Sequence, residues 1–136
     1  MANIRLYKNA DRVALISVWE TVFPDDPPHN APDKVIDEML KVDGLIYVAE
    51  QNARIVGGCI AAYDGHRGWL YSVGVLEESR RDGVGQELVR TAIDGLKARG
   101  CLKVNLQIRS DNHAVADFYK SLGFDVEDRM SMGMRL

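Results

Sequence analysis

The part of this 136-residue chain best equipped for chemistry is Val73-Gly-Val-Leu-Glu-Glu-Ser-Arg-Arg-Asp-Gly-Val-Gly85. A β-branched run feeds a glycine-containing turn, and a long helical pattern opens straight after it. Such a junction is an anion site. The first-turn N–H groups of a helix have no intrahelical acceptor, and the helix dipole favours negative charge there. Gly83 and Gly85 let the backbone approach a phosphate closely, and Arg80 and Arg81 add cationic side chains beside it. The expected ligand therefore carries phosphate or pyrophosphate. No Gly-Lys-Ser/Thr follows, so the turn is not a P-loop. Leu88 stands where a dinucleotide fingerprint needs its third glycine, which counts against a nucleotide- or NAD-binding domain.

The elements that must position this turn follow from the hydrophobic periodicity. Asn3–Lys8 alternates and reads as a short strand. Leu15, Ile16, Trp19, Val22 and Phe23 recur at helical spacing from about Asp11 onward. Pro24 to Pro32 holds all four prolines and must be a loop. Asp33 is placed to cap a second helix carrying Val35, Ile36, Met39 and Leu40. Leu45–Glu50, Arg54–Tyr63 and Trp69–Val75 read as strands, with Gln51-Asn52-Ala53 and Asp64–Gly68 as turns. Leu88, Val89, Ala92, Ile93 and Leu96 form the buried face of the long helix, which Gly100 ends. Lys103–Ile108 reads as a strand. Asp111 or Asn112 caps a further helix with Val115, Phe118, Tyr119 and Leu122 on one face, and Gly123 stops it. Phe124–Arg135 reads as one or two returning strands. The order predicts an α/β (α+β) sandwich. Its sheet is mixed and mostly antiparallel, with helices on both faces. The unit from Trp69 to Ile108 is a right-handed parallel crossover.

The length suits one domain spanning 1–136. A net charge of -3 argues against a nucleic-acid partner, which calls for a basic face. Cys59 and Cys101 have no metal-like spacing, and no disulfide framework or metal site is expected. Met1–Lys8 has no apolar signal core and no run is long enough to span a bilayer, so a cytoplasmic protein without a membrane partner is expected.

Arg80-x-x-Gly83-x-Gly85 resembles the acetyl-CoA-binding motif of the GNAT superfamily. Asn112-x-x-Ala-x-x-Phe118-Tyr119-x-x-x-Gly123-Phe124 resembles that family's second signature, and the two stand in the family's order and separation. Asp64-Gly-His-Arg-Gly68 and Arg99-Gly-Cys101 further resemble small bacterial acetyltransferases of the YpeA type. The resemblance implies a GNAT-type sheet with a central splayed parallel strand pair. It implies acetyl-CoA as co-substrate and an amine acceptor, small molecule or peptide, and it leaves room for a homodimer. It implies that backbone N–H groups of Arg81, Asp82, Gly83, Val84, Gly85 and Gln86 hold the pyrophosphate. Strand residues around Val73 and Val75 would bond the pantetheine arm. Asn112 would contact that arm, and Tyr119 would lie near the sulfur.

Transfer from a thioester to an amine needs a base, a stabilised carbonyl oxygen and an acid for the departing thiolate. Tyr119, whose phenol can donate, is the expected acid, and the Val75 N–H is the expected donor to the carbonyl. Relatives that acetylate protein N-termini carry a glutamate where this chain has Gln107, and a neutral amide cannot serve as a base. Glu20, Asp64, His66 and Glu77 are the substitutes. The other function open to this sequence is a non-catalytic acyl-CoA sensor, which the missing glutamate favours and the retained Tyr119 opposes.

Overall fold

The computed structural model describes residues 2–136. The chain forms two compact units, one ending at Leu106 and the other comprising Gln107–Leu136. In the first, strand β1 (Asn3–Leu6) leads through a 3-10 turn into helix α1 (Arg12–Val22), and helix α2 (Pro32–Lys41) follows. Strands β2 (Leu45–Gln51), β3 (Arg54–Tyr63) and β4 (Gly68–Val75) come next. A 3-10 turn (Glu77–Asp82), helix α3 (Val84–Ala98) and the short strand β5 (Val104–Asn105) complete the unit. The sheet runs β1-β2-β3-β4-β5, antiparallel throughout except for the parallel β4–β5 pair.

Two adjacent glycines in β3 show how the helices are arranged. A Cβ on Gly58 would strike Leu15 of α1, whereas one on Gly57 would meet Leu88 of α3. Neighbouring residues of a strand point to opposite faces, so α1 and α3 cover opposite faces of the sheet. Val84, Leu88, Val89, Ala92 and Leu96 of α3 are fully buried. Burial of each leucine contributes roughly 1.5–3 kcal/mol. On the other face Leu15, Val18 and Trp19 are buried, and the Trp19 indole N–H donates to the Ser72 carbonyl at 2.8 Å.

Several boundaries differ from the sequence-based expectation. Asp33 does not cap α2. The cap position is Ala31, and Pro32 takes the first helical position, where its missing N–H costs nothing. The β2–β3 turn has only two residues, because Gln51 and Arg54 pair across it. Asn52 and Ala53 lie at φ 53° and 61°, the twist that matches a hairpin. The strand expected over Lys103–Ile108 shrinks to Val104–Asn105. Two pairings, Gly68 with Val104 and Trp69 with Asn105, make the whole parallel ladder.

In the second unit, helix α4 (His113–Ser121) begins at Asn112, whose Oδ1 accepts the Val115 N–H at 3.3 Å. Asn112, not Asp111, is therefore the cap. Gly123, at φ 101°, ends the helix as expected. No strand forms over Phe124–Arg135. Val126, Met130, Met132 and Met134 there are largely exposed. Alternating apolar residues become a strand only when a neighbouring ladder takes their backbone groups, and this segment joins none. Among the described residues no strand lies beyond β5, so the parallel pair stands at one end of the sheet order rather than at its centre.

Candidate functional site

The site in the first unit is a backbone construction. Glu77–Asp82 forms a 3-10 turn, and Gly83 then turns left-handed at φ 74° before α3 begins. A non-glycine residue would be strained there, by about 1–2 kcal/mol. No atom lies within 4 Å of where a Cβ on Gly83 would stand, so conformation, not crowding, is what requires glycine. The Glu87 N–H donates to the Gly83 carbonyl at 3.1 Å, closing the first turn of the helix. The N–H groups of Val84, Gly85 and Gln86 precede that bond and form the open positive end of the helix. No side chain caps this terminus. The Gln86 side chain turns instead toward Arg90, one helical turn on.

Strand β4 supplies a second set of donors. The Leu76 N–H bonds the Val56 carbonyl at 2.8 Å, and Gly74 pairs with Gly58, so both face β3. By strand alternation the Val75 N–H faces the other way. On that side β5 pairs only with Gly68 and Trp69, and no other described strand pairs with the β4 edge. The Val75 carbonyl is taken by Arg80 Nε at 3.0 Å, which leaves its N–H as the outward group. A bulge lies just upstream, where Ser72 and Val73 together oppose Cys59. Ser72 sits at φ 53°, and its carbonyl leaves the ladder for Trp19. Val73, Val75, Arg80, Arg81, Asp82, Gly83, Val84, Gly85 and Gln86 thus lie on one continuous strand–turn–helix path. Arg80 is partly committed to β4, while the Arg81 side chain is exposed.

The remaining predicted residues belong to the second unit. Tyr119 is buried at 8% exposure, edge-to-face with Phe118 and Phe124 at ring-centroid distances of 5.0 and 5.6 Å. The Asn112 carbonyl oxygen serves as the α4 cap. The Gln107 amide donates to the Ser131 hydroxyl. Of the base candidates, Asp64 is committed to its turn, accepting N–H bonds from His66 and Arg67 at 2.8 and 2.7 Å. Those bonds hold its carboxyl below the ordinary range, which makes it a weaker base. Glu20, His66 and Glu77 are exposed. Burial, and secondarily the Asp64 charge, raises the pKa of the Tyr71 phenol, which lies on β4 stacked with Trp69.

A groove of about 570 Å³ lies elsewhere, lined among others by Asp11, Ala14, Ser17, Glu50, Arg54 and Glu78. It contains none of the predicted site residues, and the open backbone donors are the better guide to an anionic ligand. Among the described residues no group of three or more His, Cys, Asp or Glu is arranged to hold a metal. No described helix is long and apolar enough to cross a membrane.

Comparison with known proteins gives the family and the fold. Residues 12–124 match the acetyltransferase (GNAT) family. The chain is 38% identical over 134 residues to an acetyltransferase of Pectobacterium atrosepticum, covering 98% of this chain and 94% of the relative. Identity and coverage are the same for an acetyltransferase of Yersinia pseudotuberculosis. Among solved structures, AAC(6')-Iy in complex with the bisubstrate analogue CoA-S-monomethyl-acetylneamine superposes with a TM-score of 0.86 at 17% identity, covering 100% and 99% of the two chains. The ribosomal-protein-S18-alanine N-acetyltransferase of Escherichia coli superposes with a TM-score of 0.79 at 23% identity, covering 92% and 78%. These two structures share the fold of this chain. Strand, phosphate-type turn, helix and full-length likeness lead to one assignment: the chain belongs to the acetyltransferase (GNAT) family and is an acyltransferase.

Proposed function

We propose that the protein is an N-acetyltransferase that moves the acetyl group of acetyl-CoA to a primary amine, on a small molecule or a peptide, within one domain spanning 1–136. One observation carries the reading. The open N–H groups of Val84, Gly85 and Gln86 follow a left-handed Gly83, and they continue the strand path from Val73 to the outward N–H of Val75. Such a path suits a ligand with a pyrophosphate at one end and an amide-rich arm at the other. In this reading Arg81 and Asp82 contribute backbone N–H groups to the pyrophosphate, Arg80 shapes the turn, and Asn112 meets the cofactor arm.

The chemistry is a nucleophilic displacement at the thioester carbon. The acceptor is an ammonium group at neutral pH, since a lysine-type amine titrates at about 10.4, and it must first lose a proton to a base. Its nitrogen then forms a bond to the carbonyl carbon. The Val75 N–H donates to the oxygen as negative charge grows there. The C–S bond breaks, the thiolate takes a proton from Tyr119, and the still-cationic nitrogen gives up its extra proton, which leaves a neutral amide and restores the phenol. Glu20, His66 and Glu77 are the candidates to take the proton of the amine. Asp64 is the weakest of the four, because its carboxylate is already held by the turn.

Titration calorimetry with acetyl-CoA, for wild type and Gly83→Trp, followed by thiol release with a panel of amines, tests the proposal. The panel includes an aminoglycoside and a peptide N-terminus, the acceptors that the fold neighbours' names suggest. The expected result is binding that is lost in Gly83→Trp, with thiol release for at least one amine. Binding without release for any amine replaces the enzyme by an acyl-CoA sensor, and no binding overturns the reading.

A further inference from the structure

The turn that precedes α3 is held from outside by the tip of the β2–β3 hairpin. Gln51, the last residue of β2, bridges two points of that turn. Its Oε1 accepts from the hydroxyl of Ser79 at 3.1 Å, and its Nε2 donates to Asp82 Oδ2 at 3.0 Å. Ser79 is only 3% exposed. Arg54, paired with Gln51 across the hairpin, adds an exposed ion pair to Glu78 at 3.3 Å.

The bond to Asp82 matters most for an anionic ligand. Asp82 stands one residue before Gly83, at the mouth of the helix N-terminus. An unrestrained carboxylate there has two effects. It can accept the open N–H groups itself, as aspartate does at helix caps. It also repels a phosphate arriving at the same place. In the structure no side chain caps α3, and the Asp82 carboxylate is bonded to Gln51 instead.

We propose that Gln51 is a positioning residue for the phosphate end of the ligand. It braces the 3-10 turn through Ser79 and draws the Asp82 carboxylate away from the donors of Val84, Gly85 and Gln86. This rests on the acetyl-CoA reading above. Gln51 touches no reacting atom, so its loss weakens acetyl-CoA binding and leaves the rate at saturation unaltered.

Calorimetry with acetyl-CoA on wild type, Gln51→Ala, Asp82→Ala and the double variant tests this, together with KM and kcat from thiol release and thermal melting of each protein. Gln51→Ala is expected to raise Kd and KM for acetyl-CoA about 5- to 20-fold with kcat within about twofold, roughly what one charge-assisted hydrogen bond supplies. Removing the Asp82 carboxylate in the Gln51→Ala protein is expected to restore most of the affinity, because the released competitor is gone. A general loss of packing would not be rescued in this way and would lower the melting temperature instead. If wild type binds acetyl-CoA and Gln51→Ala binds it equally well, the positioning role is wrong while the acetyl-CoA reading stands. Weakened binding that the second substitution fails to rescue also overturns it. If wild type does not bind, both readings fall.

Discussion

Two residues bear most of the proposed chemistry, and they differ in how they can be tested. Gly83 acts through its backbone, so a side chain of any kind there strains the turn. Tyr119 acts through one oxygen. Tyr119→Phe keeps the ring, and with it the edge-to-face contacts to Phe118 and Phe124. The fold should therefore survive, and the change should report on the proton alone. Loss of a general acid is expected to lower kcat about 10²-fold or more, with KM for acetyl-CoA little altered. A steady-state pH profile checks this, and an unchanged kcat across pH would remove Tyr119 from the mechanism. Asn112 shows how a side chain can have two readings. The family pattern assigns it to the cofactor arm, while its carbonyl oxygen caps α4. Its amide nitrogen is still able to donate to a ligand.

Among the elements, the attachment of β1 to the start of α1 depends on charge. Arg5 on β1 donates to both carboxylate oxygens of Asp11, at 2.8 and 2.9 Å, and the Lys8 N–H adds a third bond at 2.8 Å. Chiefly because of the Arg5 bonds, and against the opposing effect of burial, the Asp11 carboxyl titrates below its ordinary 3.8. The stability this confers is fully present above the unfolded-state value. It is lost as pH falls through the lower folded-state value. Asp11→Asn is expected to cost about 1–3 kcal/mol at pH 7. Urea unfolding of both proteins should show that difference shrinking as pH drops below 3.8. An equal difference at pH 7 and at low pH would mean that the ion pair is not its source. Most elements were legible beforehand because their apolar residues repeat at the right period: β3 covers Arg54–Tyr63, as expected. The Lys103–Ile108 and Phe124–Arg135 segments were not, because their alternation is the same whether or not a neighbour supplies a ladder.

For the molecule as a whole, the core of the first unit gives a direct probe. Cys59 lies on β3, has no exposure, and burial pushes its thiol up to about 12. A thiol that is both inaccessible and protonated does not react. In a Cys101→Ala background, Cys59 is expected to resist alkylation at pH 8 and to be labelled only as fast as that unit opens. Labelling complete within seconds in the native protein would contradict the packing.

The sequence by itself determined the element order as far as α4, the strand–glycine–helix junction and the family, because periodicity, left-handed glycines and motif spacing are local properties. Only the tertiary structure showed that Val75 turns its N–H away from β3, and that the Arg80 Nε is spent on the Val75 carbonyl. It alone showed that Gln51 reaches Ser79 and Asp82 across 28 and 31 positions of chain. Those facts depend on register and on which strand edge stays unpaired. A chain acquires both only when segments far apart in sequence pack against each other.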